Sequence, residues 1–515
     1  MKKILYIILF VINLFALSCN HNKSNFSSTN PIGKVGEITV DPYKVTPLSA
    51  VYITETVNAA PITVTVKGLY GEPDVIHTYP AGYGTEFEIH GMFPESQNTI
   101  EVNDGGRIIT KNVNVGALSY NGVIVQKKYD VEINNLYEEK YPNNPELYFV
   151  TYYIQNVSLG ISRNGYVRYI SKLRFFYKVI PENNSINIYS RSGGVFNLLG
   201  KSIVNFPVLS EAMIPFHHDA IRKNNNYLFL SGSRWDNQDI IVETSGNNIV
   251  KTLNIGNLIE DIVLANNNKD EIEKLNKIVF NEGNIHTTTD GKQTVVDSFH
   301  LNSIVYDSST DILYISSRHR GVLAVDYSEW KLIWWMADNT INTRVLENLG
   351  TVANTTIPHN VHLKDLPSLN PYRVMGDGAT DGPKNQHALF LLANGNLGMF
   401  DNQGDEDTNP NGSRYVEYKI TGTHGNYTAQ KVYEYRNSSM YSRLRSDVDF
   451  TGDSYQNLLL CYADNSAGIL EIEKGVKKEL FKLNLNPEVY RADKMPLYYD
   501  EGRVYSEDCN LKNPN

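Results

Sequence analysis

One strand pattern recurs along most of the chain and restricts its fold more than any single motif. An apolar strand is followed by an Asn/Gly turn, a second strand, a small-residue turn and a third strand. VSLGISRNGYVRYIS (157–171) shows the pattern, and INIYSRSGGVFNLLG (186–200) repeats it. Further units begin at His218, His300, His387 and Ser446 and run to 255, 336, 420 and 483. Turn residues punctuate every unit, and no crossover helix joins a strand to the next. Six such meanders predict a six-bladed β-propeller, with a large sandwich or a β-solenoid as the rival. Long insertions make the spacing irregular. One at 258–280, which includes EDIVLANNNKDEIEKLNKIVF, reads as partly helical, and one at 337–386 is a candidate lid.

Ahead of the repeats, 33–115 holds short alternating strands (GEITVDPY, ITVTVKGLY, TEFEIHGMF, NTIEVND) between Gly, Pro and Asn turns. Their number and length predict a small immunoglobulin-like β-sandwich. The expected fold class is therefore all-β. Residues 116–140 read as a connection, and 141–515 as the propeller with a C-terminal tail. The 34 Tyr and 18 Phe fit β structure. A formal net charge of -10 argues against a nucleic-acid partner.

The first residues, MKKILYIILFVINLFALSCN, combine Lys2 and Lys3 with an apolar stretch too short for an ordinary spanning helix. Ala16-Leu17-Ser18-Cys19 resembles a bacterial lipobox. The expectation is a signal peptide over 1–18, lipidation of Cys19 and a polar tether over 19–32. That makes the protein an exported lipoprotein, periplasmic or on the cell surface, held to a membrane by its N-terminal lipid. An ordinary signal peptide with a chance Cys is the bland alternative. Cys461, in the apolar run NLLLCYA, reads as a buried thiol, and a bond to Cys509 stays open.

His218, His300 and His387 each open the first strand of a unit. Ten residues separate His218 from Leu228, and ten separate His387 from Leu397. First strands of propeller blades line the central channel, so equivalent strand starts converge at one mouth. Taken singly, each His is more often a satisfied structural group. Three at equivalent positions, out of 12 in the chain, point to a metal site or a catalytic pocket. Arg318, after Ser316-Ser317, is a planar fork suited to a sulfate or phosphate group, although a surface charge is its simpler reading. Asn302, two residues after His300, shares its strand face and has an amide able to donate to an oxyanion. GDGATDG (376–382) lacks the Lys of a phosphate loop and reads as a flexible or lid segment. His359 and His362 are weak metal candidates without a third ligand nearby.

FHHDAIRKNNNYLFL, DSFHLNSIVYDSSTDILYISSRHRGV and NQHALFLLANGNLGMFDNQGD resemble, in order and spacing, the bacterial aryl-sulfate sulfotransferases that need no nucleotide donor. The resemblance runs from about 33 to 485. It implies an immunoglobulin-like domain before a six-bladed propeller, no cofactor, and a homodimer. It also implies transfer of a sulfuryl group from an aryl sulfate donor to a phenol acceptor by a ping-pong mechanism. His387 would become N-sulfohistidine, and Arg318, Asn302, His218 and His300 would hold the sulfuryl oxygens. Either His218 or His300 would handle the phenol proton. A Thr used by the family in the last blade has two candidates here, Ser446 and Thr451. The competing readings are a metal-dependent hydrolase or lyase built on the histidines, and a non-catalytic binding lipoprotein.

Overall fold

The computed structural model describes residues 33–501 except 121–122, 142–144, 153–155, 174–175, 183, 192, 208–212, 215, 234–238, 276–285, 288–292, 295–298, 342–361, 405–410, 453–455, 465 and 486–487. Cys19, His359 and Cys509 lie outside the described residues, as do 342–361 of the expected lid and the end of the 258–280 insertion.

Ile62–Val66 (ITVTV) buries its Ile and Val side chains and leaves its Thr side chains half-buried, the period-two signature of a sheet with one wet face. It pairs with Val75–Tyr79 on one side and Ser96–Asp104 on the other, and Arg107–Val115 completes a four-stranded sheet. Ile38–Val40, Ser49–Ile53 and Glu86–His90 form a three-stranded sheet. Val64, Phe87, Ile89 and Val102 fill a core shared by the two, which makes this N-terminal unit a seven-stranded sandwich.

Later strands read differently. Asn457–Tyr462 (NLLLCY) is buried at every residue because neighbouring sheets cover both of its faces. Six such sheets make the propeller. The inner strands of blades two to six are Phe176–Glu182, Ala220–Lys223, Leu301–Asp307, His387–Leu391 and Asp447–Thr451. Within each blade, successive strands pair antiparallel outward.

The ring closes in a way the repeat pattern did not reveal. Blade one takes its inner strand, Val489–Met495, from the far end of the chain, pairing it antiparallel with Leu147–Tyr152. Val131–Ile133, in the expected connection, adds an outer strand to blade six. VYRADKM hides the closing strand because three of its charged side chains, Arg491, Asp493 and Lys494, are buried. Lys494 donates to Glu471 at 2.8 Å and to the Tyr137 hydroxyl at 3.1 Å, and Glu471 accepts from Tyr148 at 2.7 Å. An ion pair saturated with hydrogen bonds can be buried where an isolated charge cannot.

Arg168 of blade one ties the sandwich down. Its Nε donates to Gly91 O at 2.8 Å and its guanidinium lies 4.0 Å from the Phe93 ring centre. The 258–280 insertion contributes to two helices, Ile255–Ala265 and Lys269–Leu275. GDGATDG is not a loose flap. It contains a helical turn at Asp377–Thr380, and Asp381 pairs at 2.8 Å with the fully buried Arg414 of blade five. Gly378 allows the close approach, since a Cβ there would sit 2.9 Å from the Met336 sulfur. Cys461 is a buried free thiol.

Candidate active site

The inner strands of blades three to six enter through the same backbone device. His218 (φ 59°), His300 (φ 52°) and Ser446 (φ 82°) stand left-handed just ahead of their strands, and Ala388 (φ 48°) does so one residue inside. Register shifts at Leu301/Ser303 and His387/Leu389 accompany them. Non-glycine residues enter this region at a cost of about 1 kcal/mol or more, so such a cluster marks a site where side-chain direction matters.

A hydrogen-bonded belt fixes the three histidine-bearing blades to one another. Asp219 Oδ2 accepts from Ser303 Oγ at 3.1 Å and from Ile304 N at 3.0 Å. Ser303 Oγ in turn accepts from Leu389 N at 3.0 Å. Gln386 donates to Ser316 Oγ, Ser317 O and Gly321 O at 2.9 to 3.1 Å, locking the residue before His387 against blade four.

The expected residues come together. The rings of His218 and His300 lie 4.8 Å apart, and Arg318 N donates to His300 O at 3.0 Å. The charge of Arg318 reaches the His387 ring. Burial holds His387 well below the ordinary imidazole range. Its bond to Asn402 works against that shift, while Arg318, His300 and Arg491 add to it. His218 is depressed in the same direction by burial, then by His300, His217, His387 and Arg491. Both imidazoles are therefore neutral near pH 7.

Asn302 is placed differently from the simplest expectation. Its amide donates to Gln386 O at 2.7 Å, and its own carbonyl accepts from Arg491 at 3.0 Å. It sets the backbone leading into His387. Of the last-blade candidates, Ser446 stands at the strand entry, where its hydroxyl donates to Ser442 Oγ at 2.7 Å. Thr451 is at the opposite end of that strand and donates to Glu471 at 2.6 Å. His362 is buried beside Arg320, which with burial lowers its pKa to about 4.

Five further residues belong to the site. Asn402 Oδ1 meets His387 Nδ1 at 2.8 Å, while its amide donates to Ser442 O at 2.8 Å and Arg445 O at 3.3 Å. Asn385 O lies 3.1 Å from the same Nδ1. Two acceptors on Nδ1 place the ring proton there and the lone pair on Nε2. The Tyr490 hydroxyl bonds His218 Nδ1, and Arg491 and Asp219 pair at 3.7 Å beneath the histidines. Asn402 and Asp219 close the FDN and HHD motifs, where nothing in the strand pattern marks them out. Tyr490 and Arg491 had no signal, because their strand belongs to no repeat.

Chemically, a buried neutral imidazole within the field of a buried guanidinium is an arrangement that can act on an anionic electrophile. Among the described residues, no group of three or more His, Cys, Asp or Glu has the arrangement of a metal site. No helix among them is long and apolar enough to cross a membrane.

Two family models match the chain, the Arylsulfotransferase (ASST) model over 134–491 and the Arylsulfotransferase Ig-like domain model over 37–113. Arylsulfate sulfotransferase AssT of Escherichia coli O6:H1 is 29% identical over 163 residues, 30% of this chain and 26% of that protein. The protein of the same name from Lelliottia amnigena is 27% identical over 169 residues, again 30% of this chain and 26% of the relative. These alignments thus span about a quarter of each relative's length. The β-propeller domain of Cps50 (Swd1) from Myceliophteria thermophila aligns with 71% of this chain and 88% of its own at 11% identity, with a TM-score of 0.34. With one model covering well over half of its length and the other its sandwich, the chain belongs to the arylsulfotransferase family.

Proposed function

We propose that the protein moves a sulfuryl group from an aryl sulfate to a phenol by a ping-pong route through N-sulfohistidine at His387. The observation that carries this reading is the pair of acceptors on His387 Nδ1, which leaves Nε2 as a neutral nucleophile. In the first half-reaction Nε2 attacks sulfur, the N–S bond forms, and the S–O bond to the aryl group breaks. A phenolate departs and takes a proton. In the second half-reaction a phenol gives up its proton, its oxygen attacks sulfur, and the N–S bond breaks. Sulfuryl transfer, like phosphoryl transfer, depends on positioning and charge stabilisation. Arg318 would supply the fixed positive charge for the sulfuryl oxygens, with His300 beside it.

Burst kinetics test the route. An aryl sulfate without acceptor should release one equivalent of phenol per site and stop, and a second phenol should restart release. Continuous hydrolysis without acceptor, abolished by a chelator and restored by zinc, would instead favour the metal-dependent alternative. No release at all would favour a binding protein. The same reading includes export and anchoring through a lipid on Cys19, and assembly as a homodimer.

A further inference from the structure

Tyr490 is brought to the channel mouth by the strand that closes the ring, and it is 4% exposed. Its ring stacks with that of His218 at a 24° interplanar angle, and its hydroxyl bonds His218 Nδ1. Around this pair stand His217 on the same loop, His300 from blade four, His387 from blade five and Arg491, the next residue on the closing strand.

Sulfotransfer of the kind proposed above creates a proton problem in this setting. A departing phenolate needs a proton, yet His218 is held neutral, and a neutral imidazole N–H is a far weaker acid than an imidazolium. A phenol has the acidity of the group that leaves, which is the matched condition for general acid catalysis.

We propose that Tyr490 is the proton reservoir behind His218, a positioning residue that acts through the imidazole and never touches substrate. This rests on the sulfotransfer reading. With the phenol donating to Nδ1, the single ring proton of His218 sits on Nε2. As the S–O bond breaks, the Nε2 proton passes to the departing phenolate oxygen, and the Tyr490 proton moves to Nδ1. The products are a free phenol, sulfated His387, a neutral His218 protonated on Nδ1, and a tyrosinate. The Arg491 guanidinium, 6.0 Å from the Tyr490 ring centre, offsets the new negative charge. In the second half-reaction the acceptor phenol returns a proton to Nε2, Nδ1 returns one to Tyr490, and the acceptor oxygen takes the sulfuryl group. No proton is exchanged with solvent over the cycle.

The test is Tyr490→Phe assayed with two donors, a nitrophenyl sulfate whose phenolate leaves without help and an alkylphenyl sulfate whose phenolate does not. The relay predicts that kcat/KM falls at least tenfold more for the alkylphenyl donor than for the nitrophenyl donor. Equal losses with both donors, or no loss with either, would overturn it. Should Tyr490→Phe fail to fold, 3-fluorotyrosine at position 490 keeps the hydrogen bond with a more acidic phenol. The alkaline limb of the rate profile should then move to lower pH, and an unmoved profile contradicts the relay. A wild-type protein that gains no sulfuryl group from either donor refutes the sulfotransfer reading, and the relay with it.

Discussion

His387 Nδ1 faces Asn402 Oδ1 at 2.8 Å and Asn385 O at 3.1 Å, and the side-chain partner can be removed without touching the backbone. Asn402→Leu keeps the volume and leaves the ring free to rotate or change tautomer. The burst rate should fall by about 10- to 100-fold, the order seen when a partner that orients a metal-bound imidazole is lost. Stopped-flow phenol release measures this, and an unchanged burst would deny Asn402 its role. The depressed pKa of His387 sets a second expectation. Its burst rate should stay nearly level from pH 7.5 to 5.5, where an ordinary imidazole of pKa 6.5 would lose roughly tenfold in its neutral form. At this scale the sequence exposed much of the site, because His218, His300 and His387 recur in register and Arg318 follows a strand end. Asn402 was legible only as part of a motif. Tyr490 was not legible, since its bond to His218 spans 272 residues.

Strands carry the next level. Blades three to six were visible as repeats because middle strands such as Gly321–Asp326, Leu397–Asp401 and Asn457–Tyr462 are largely apolar and buried on both faces. Blade one was only half visible. Its closing strand carries Arg491, Asp493 and Lys494, charges that suggest a solvated loop until the ring supplies their partners. Lys494 and Glu471 form the buried lock at 2.8 Å. Lys494→Ala should destabilise the protein by about 3–5 kcal/mol, because it strands a buried carboxylate. Lys494→Met combined with Glu471→Leu should recover much of that loss, since apolar replacement of a whole buried pair is often neutral. Urea denaturation compares them. A double variant no better than the single would mean that the pair does more than satisfy itself. The GDGATDG turn shows the converse error. Glycine and aspartate suggested mobility, but Asp381 packs against blade five and Gly378 against blades four and five.

For the whole molecule, acid stability follows from where its histidines are buried. His77 and His362 are held at about 4, chiefly by burial, and His218 and His387 are also depressed. Between those values and 6.5 the unfolded chain binds more protons than the folded one, so stability falls as pH drops through that window. Asp447, raised to about 7 by burial, acts in the opposite sense over 3.8 to 7 and offsets part of the loss. The urea midpoint should be lower at pH 4.5 than at pH 7.5, and a higher one would contradict the burial of these imidazoles. At the N-terminus, Cys19→Ser should abolish incorporation of labelled fatty acid and release the protein from membranes. Labelling that persists would remove the proposed anchor.

The central claim is that His387 becomes the sulfuryl carrier, and one measurement addresses it directly. Intact-protein mass spectrometry after incubation with an aryl sulfate, with no acceptor present, should show one added sulfuryl group. Peptide mapping should locate it on His387. The adduct should vanish on addition of a phenol and be absent in His387→Ala. An unmodified mass during phenol release, or an adduct that persists in His387→Ala, would contradict the account.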